Sequence, residues 1–67
     1  MYCLNIQRES DPDSDYCTTI NYHVQVWRDG KIEKVITKKN FASILKAARN
    51  FPKGSLIQHV NGNIEII

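Results

Sequence analysis

Four residues of this chain could bind a metal or form a nucleophile with its base: Cys3, Cys17, His23 and His59. Structural zinc sites draw cysteine and histidine from closely spaced pairs, whereas these four residues are dispersed along the chain. A cysteine nucleophile with a histidine base also requires a third group that orients the base, and no pattern in the sequence supplies one. We therefore predict no catalytic residue, no metal site and no cofactor, and hence a protein that is not an enzyme.

The segment Asp11-Pro12-Asp13-Ser14-Asp15 imitates the opening of a calcium loop, where oxygen ligands recur at every second residue. An EF-hand also needs glycine at its sixth position and glutamate at its twelfth, where this chain has Tyr16 and Tyr22. We interpret the stretch from Glu9 to Asp15 instead as a mobile surface loop. Its negative charge would meet a basic protein partner through Glu9, Asp11, Asp13 and Asp15.

Positive charge collects further along the chain, on and around the one convincing helix. This basic patch consists of Lys38, Lys39, Lys46, Arg49 and Lys53. It is either a solvated helix face or a surface that binds phosphate groups.

A second candidate contact is aromatic. His23 and Trp27 share one parity of a strand, opposite to Val24 and Val26, so they point away from the helix side. Aromatic residues dominate interface energies, and we predict that the two residues anchor a protein contact. The alternative is that Trp27 folds over the edge of a hairpin.

One helix, residues 40–51, carries apolar residues at helical spacing: Phe41, Ile44, Leu45, Ala48 and Phe51. Asn40 or Thr37 caps it, and Pro52 ends it. On either side of the helix the sequence pattern predicts strands, at residues 1–8, 17–28, 32–36, 56–60 and 64–67. The order β-β-β-α-β-β predicts an α+β fold: a small antiparallel sheet of four to five strands with one helix on one face, in a single domain, 1–67.

Two hairpin turns set the register of the strands. For Asp29-Gly30 we predict a three-residue turn with Gly30 left-handed in a bulge, which places Val26 opposite Ile32. The same register sets Tyr22 opposite Ile36. For Asn61-Gly62 we predict a tight turn with positive φ at both central residues.

At 67 residues the chain has room for one small core, and its 42% apolar and 24% charged residues are ordinary for a globular protein. No apolar run reaches the ~18 residues of a membrane span, and the N-terminus has no pattern of a signal peptide. We expect a cytoplasmic protein with no membrane partner. In that compartment Cys3 and Cys17 are expected to be free thiols, a disulfide between them being the alternative.

The segment from Val35 to Val60 has a recognisable pattern: an apolar strand end, a helix led by Asn or Thr, and the exit Phe51-Pro52-Lys53-Gly54. Within the helix, Ile44-Leu45 and Ala47-Ala48 form the core. This pattern resembles the small host RNA polymerase inhibitor of short-tailed coliphages, and anti-CRISPR proteins are similarly tiny α+β folds. That family carries arginines around its last strand, where this chain has His59 and Asn61. The resemblance implies a small phage-encoded inhibitor.

The leading hypothesis is therefore a non-enzymatic protein-binding module, encoded by a phage or mobile element, that inhibits a larger host complex of the transcription or defence machinery. The first alternative is a small nucleic-acid-binding protein that uses the basic helix face. The second is a self-associating structural protein, a homodimer paired through an open sheet edge of the first or last strand.

Overall fold

A computed structural model describes residues 1–16 and 18–67 of the chain. It contains one helix and five strands: β1 (Tyr2–Ser10), β2 (Thr19–Arg28), β3 (Lys31–Lys38), α1 (Phe41–Arg49), β4 (Leu56–Gln58) and β5 (Ile64–Ile66). The predicted α+β class and the element order are confirmed. The expected thiol of Cys17, and its place at the start of the second strand, lie outside the described residues. Cys3 is an exposed free thiol.

The five strands form one sheet in the order β3-β2-β1-β4-β5. Three neighbouring pairs are antiparallel, as predicted, but β1 and β4 are parallel, so the sheet is mixed. The parallel pair arises because α1 carries the chain from β3 across one face of the sheet, and a crossover of this kind returns the next strand parallel to the one it left.

The core lies between α1 and the face of the sheet that the helix covers. Leu4 and Ile6 of β1, Val24 and Val26 of β2 and Ile57 of β4 are buried there against Ile44 and Ala48 of the helix. Two edge-to-face aromatic pairs close the ends of this layer, with ring centroids 5.2 Å apart for Tyr2 and Phe51 and 5.5 Å apart for Tyr22 and Phe41.

The helix is shorter than predicted at its C-terminal end. Asn40 is the N-cap, and its side chain accepts a hydrogen bond of 2.9 Å from the backbone N–H of Ser43. Thr37, the other predicted cap, belongs to β3. The helix ends at Arg49 with Asn50 as C-cap, so Phe51 packs from the segment after the helix.

The two hairpin turns are the reverse of the prediction. Asp29 and Gly30 form a two-residue turn with φ of 53° and 80°, and Trp27 lies opposite Ile32. A register shift in the following strand then sets Val24, not Tyr22, opposite Ile36. In the second hairpin only Gly62 has positive φ, and the N–H of Gly62 donates to the carbonyl of His59. A three-residue loop with a left-handed glycine joins those strands.

The edges of the sheet are also placed differently. The first strand was expected at an edge, but β1 lies in the middle of the sheet, and the edges are β3 and β5. Within the described residues, no helix is long and apolar enough to span a membrane.

Candidate protein-binding surface

The face of the sheet opposite α1, called the open face below, carries the side chains that alternate with the core. On β2, Val24 and Val26 are buried beneath the helix, while His23, Gln25 and Trp27 have the opposite parity. The predicted orientation of His23 and Trp27 away from the helix is therefore what the structure gives. Both residues are half-buried by their neighbours on adjacent strands.

A hydrogen-bonded network crosses β1, β2 and β3 on the open face, toward the end of these strands that lies away from Trp27. Nε2 of His23 lies 2.7 Å from a carboxylate oxygen of Glu9, and Nδ1 lies 2.8 Å from the hydroxyl of Thr37. The carboxylate can only accept, so Nε2–H donates to it, and in the neutral imidazole Nδ1 accepts from Thr37. Asn21 donates to the same carboxylate at 3.3 Å. The hydrogen bond from His23, followed by that from Asn21, lowers the pKa of Glu9 from its usual value.

The hydroxyl of Thr37, the imidazole of His23 and the carboxylate of Glu9 follow each other in the order of a catalytic triad. Here, however, they lie on the surface of the sheet. Glu9, His23 and Thr37 belong to three adjacent strands, and none of them lines the apolar depression described below. The two bonds fix the orientation of the His23 ring on the open face. Further along β2, the indole N–H of Trp27 donates to the side chain of Gln25 at 3.3 Å.

One end of the open face is apolar. Trp27 is paired across the strands with Cys3 on one side and with Ile32 on the other, and Cys3 is paired in turn with Leu56. Paired residues share a face of a sheet, so these side chains lie together on the open face. Ile66 and Ile64 continue the set, because they pair with Leu56 and Gln58. We call this set the apolar patch: Cys3, Trp27, Ile32, Leu56, Ile64 and Ile66.

The apolar patch is uncovered over much of its area. The exposed fractions of Ile32, Ile64 and Ile66 are 50%, 66% and 70%. A shallow depression of about 370 Å³ runs through it, lined by Cys3, Trp27, Leu56 and Ile64 among others. Contiguous exposed apolar side chains with a polar surround are typical of protein interaction sites.

The predicted acidic loop divides into two parts. Glu9 and Ser10 belong to β1, so Glu9 is a strand residue and not part of a loop, because the alternation of β1 continues beyond Arg8. Asp11, Asp13 and Asp15 do lie in the connection to β2. The carboxylate of Asp11 accepts from the backbone N–H of Asp13 at 2.9 Å, which folds the loop back on itself. Of the four acidic residues, only Glu9 is brought together with His23.

The residues of the predicted basic patch lie on α1, at the end of β3 and in the segments that flank the helix. Lys38, Lys39, Lys46 and Lys53 are exposed. Arg49 instead donates two hydrogen bonds of 2.9 Å to the carboxylate of Glu65.

The two hydrogen bonds from Arg49 lower the pKa of Glu65 from 4.5 to about 2, and a contact of 3.2 Å from His59 acts in the same direction. The pKa of Arg49 is raised by the same pairing. Arg49 is thus committed to an intramolecular ion pair.

Several residues of the open face were missed by sequence reasoning. The sequence predicts Thr37 only as a helix cap, and Ile64 and Ile66 only as members of a strand. The parity of β2 could have identified Gln25 together with His23 and Trp27. The places of Ile64 and Ile66 depend on the parallel pairing of β4 with β1, for which the sequence carries no local signal.

Among the described residues, no group of three or more His, Cys, Asp or Glu side chains is placed to hold a metal ion. Comparisons of the chain with protein-family models, with curated proteins and with solved structures found no match.

Proposed function

We propose that this chain is a non-enzymatic protein-binding module and that the open face is its binding surface. The observation that carries the proposal is the apolar patch, whose isoleucines are half or more exposed and whose Trp27 donates a hydrogen bond to the polar side chain of Gln25. An aromatic residue set among apolar side chains and bordered by polar groups is the arrangement in which a few residues supply most of the binding energy. Trp27 is the aromatic residue of that arrangement and lies between Ile32 and Cys3.

The distribution of charge supports a protein partner over a nucleic acid. The network around His23 contains the carboxylate of Glu9, which would repel phosphate groups. The lysines of the basic patch lie on α1 and in the residues around it, and Arg49 is held by Glu65. A nucleic acid bound at the basic patch would leave the apolar patch exposed to water.

The form of binding that we propose is inhibition of a larger host complex by a phage or mobile-element protein, acting in the cytoplasm. The resemblance of residues 35–60 to small phage-encoded inhibitors supports this choice. A compact domain with one binding surface can inhibit a complex by occupying a surface that the complex needs, and this requires no catalysed reaction. The exposed free thiol of Cys3 accords with a reducing compartment.

The test is capture of partners from bacterial lysate by the tagged full chain, with and without nuclease. We expect one protein complex to be retained in constant proportion after nuclease treatment. Trp27→Ala should abolish its capture, and so should Ile66→Ser, which alters a side chain that is 70% exposed and should leave the fold intact.

Lys46→Ala, on the helix side, is the matched control and should capture as the parent does. If nuclease treatment removes every captured partner, the chain would instead be a nucleic-acid-binding protein. A partner retained equally by the two open-face variants would contradict the proposed surface. Replacement of Asp11, Asp13 and Asp15 by Asn tests separately whether the loop contributes.

A further inference from the structure

The two edges of the sheet are protected to different degrees. Edge strands expose unpaired main-chain groups, and natural sheets block them with lysines and bulges. The β3 edge has both, because Lys31, Lys34 and Lys38 lie along it and its register shifts near Trp27. The β5 edge, Ile64–Ile66, carries no lysine and pairs regularly with β4.

The main-chain groups of Ile64 and Ile66 point outward from the β5 edge. In an antiparallel pair, hydrogen-bonded and non-hydrogen-bonded residues alternate along the strand. The N–H of Ile67 donates to Ser55, and the carbonyl of Asn63 accepts from His59, so residues 63 and 67 face β4. Ile64 and Ile66 therefore direct two N–H and two carbonyl groups away from the sheet.

The side chains of the same two residues extend the apolar patch to that edge. On the open face, β4 and β5 present Leu56, Gln58, Ile64 and Ile66, none of which is charged. An occupant of this edge therefore meets main-chain donors and acceptors beside an uncharged, largely apolar strip. The chemistry that complements it is an extended backbone with uncharged apolar side chains at every second position.

We propose that an extended segment of a protein partner adds to β5 as a sixth strand and places its alternate apolar side chains beside Ile64 and Ile66, at the β5 end of the apolar patch. This inference rests on the proposed function, and it specifies how the partner is held. Main-chain hydrogen bonds to Ile64 and Ile66 supply affinity, while the exposed side chains of the same two residues select apolar neighbours.

A second copy of this chain fits the edge less well. The symmetric antiparallel register that opposes Ile64 to Ile66 sets the two Glu65 side chains directly opposite each other, and each is already paired with Arg49 of its own copy, so the contact gains no charge complementarity. Such a contact would also pair only the short strand Ile64–Ile66 of each copy. A stable interface buries about 800 Å² on each partner, which a protein partner that pairs with β5 and also covers the apolar patch reaches more readily.

The test uses a displayed library of short random peptides, panned against the immobilised full chain. We expect the enriched peptides to alternate apolar and polar residues. They should then be measured against Ile66→Ala and Ile66→Pro, which lose the same side chain. Only the proline removes the outward N–H, and it breaks no bond to β4.

Binding to Ile66→Pro should be about two- to tenfold weaker than binding to Ile66→Ala, the change expected for one backbone hydrogen bond. Ile64→Ala and Ile64→Pro repeat the comparison if circular dichroism shows that Ile66→Pro is unfolded. Equal binding to the alanine and proline variants would overturn strand addition, and so would a failure to enrich any alternating peptide.

Either of these two negative results would overturn strand addition but not the proposed function. The proposed function is tested separately, by whether a protein partner is captured and whether its capture depends on Trp27. Sedimentation of the chain alone decides the remaining alternative. A dimer that Ile66→Pro dissociates and Ile66→Ala does not would make a second copy the occupant and overturn the choice of partner.

Discussion

The division of the sheet into a covered and an open face predicts opposite outcomes for two isoleucines on the last two strands. Ile57 on β4 is 0% exposed and packs beneath the helix, whereas Ile66 on β5 is 70% exposed on the open face. Both can be replaced by alanine, which removes the same three side-chain carbons. Because the chemical change is identical, any difference in the free energy of unfolding reports on burial.

The magnitudes follow from burial. Removing the side-chain carbons of Ile57 forfeits about 0.8 kcal/mol each in transfer free energy, or about 2.4 kcal/mol, and the cavity left behind brings the loss to about 3 kcal/mol. Because Ile66 is 70% exposed, only its buried part contributes, and the loss of transfer free energy for Ile66→Ala is about 0.7 kcal/mol. A domain of this size has only about 3–5 kcal/mol of stability, so Ile57→Ala should leave it close to unfolding while Ile66→Ala should not.

Urea denaturation followed by circular dichroism measures both variants against the parent. We expect a large fall in the midpoint for Ile57→Ala, a small one for Ile66→Ala, and similar slopes for both. Equal losses, or a larger loss at Ile66, would refute the assignment of the two faces. Ile57→Val is the graded control and should cost about 0.5–1.5 kcal/mol.

Three further predictions concern the local features of the fold. Asn40→Ala removes the cap that accepts from Ser43, and the free energy of unfolding in urea should fall by about 0.5–2 kcal/mol, with Asn40→Asp as the control that keeps an acceptor. Gly30→Ala places a side chain at φ of 80°, where no atom lies within 4 Å, so the loss of about 1–2 kcal/mol in the same assay should come from backbone strain alone. Because the pKa of Glu65 is lowered, its contribution to stability is complete above pH 4.5 and is lost as the pH falls toward 2. The difference in thermal stability between the parent and Glu65→Gln should therefore be constant near neutrality and shrink between pH 4.5 and 2. A difference independent of pH would contradict the pairing of Glu65 with Arg49.

The class and order of the fold could be predicted because each element has a local signal. Alternation marks β1 and β2, helical spacing marks α1, and Asp29-Gly30 and Asn61-Gly62 mark the hairpins. The turn types could not be assigned, because both types accept the same dipeptide. Which one forms depends on where the register shift falls, and in the first hairpin it falls within the strand pair rather than in the turn.

The site was only partly predictable for a related reason. Parity within one strand places His23 and Trp27 on a common face, because that relation is local. The pairing of Glu9 with His23 depends on the register of β1 and β2, and the place of Ile66 depends on which strand β4 joins. The pairing of Arg49 with Glu65 links residues 16 positions apart, and no single-strand or single-helix pattern indicates it.

The most direct test of the open face as the binding surface uses a label at Cys3, which lies opposite Trp27. In a chain with Cys17→Ser, Cys3 is alkylated with a bulky maleimide, and capture of the partner from lysate is compared with the unlabelled chain. In the control chain, Cys3→Ser and Cys17→Ser are combined with Lys46→Cys, so that the same label lies on the helix side. We predict that the label at Cys3 abolishes capture and that the label at position 46 leaves it unchanged. Capture that survives the label at Cys3 but is lost with the label at position 46 would contradict the open face as the binding surface and transfer that role to the helix side.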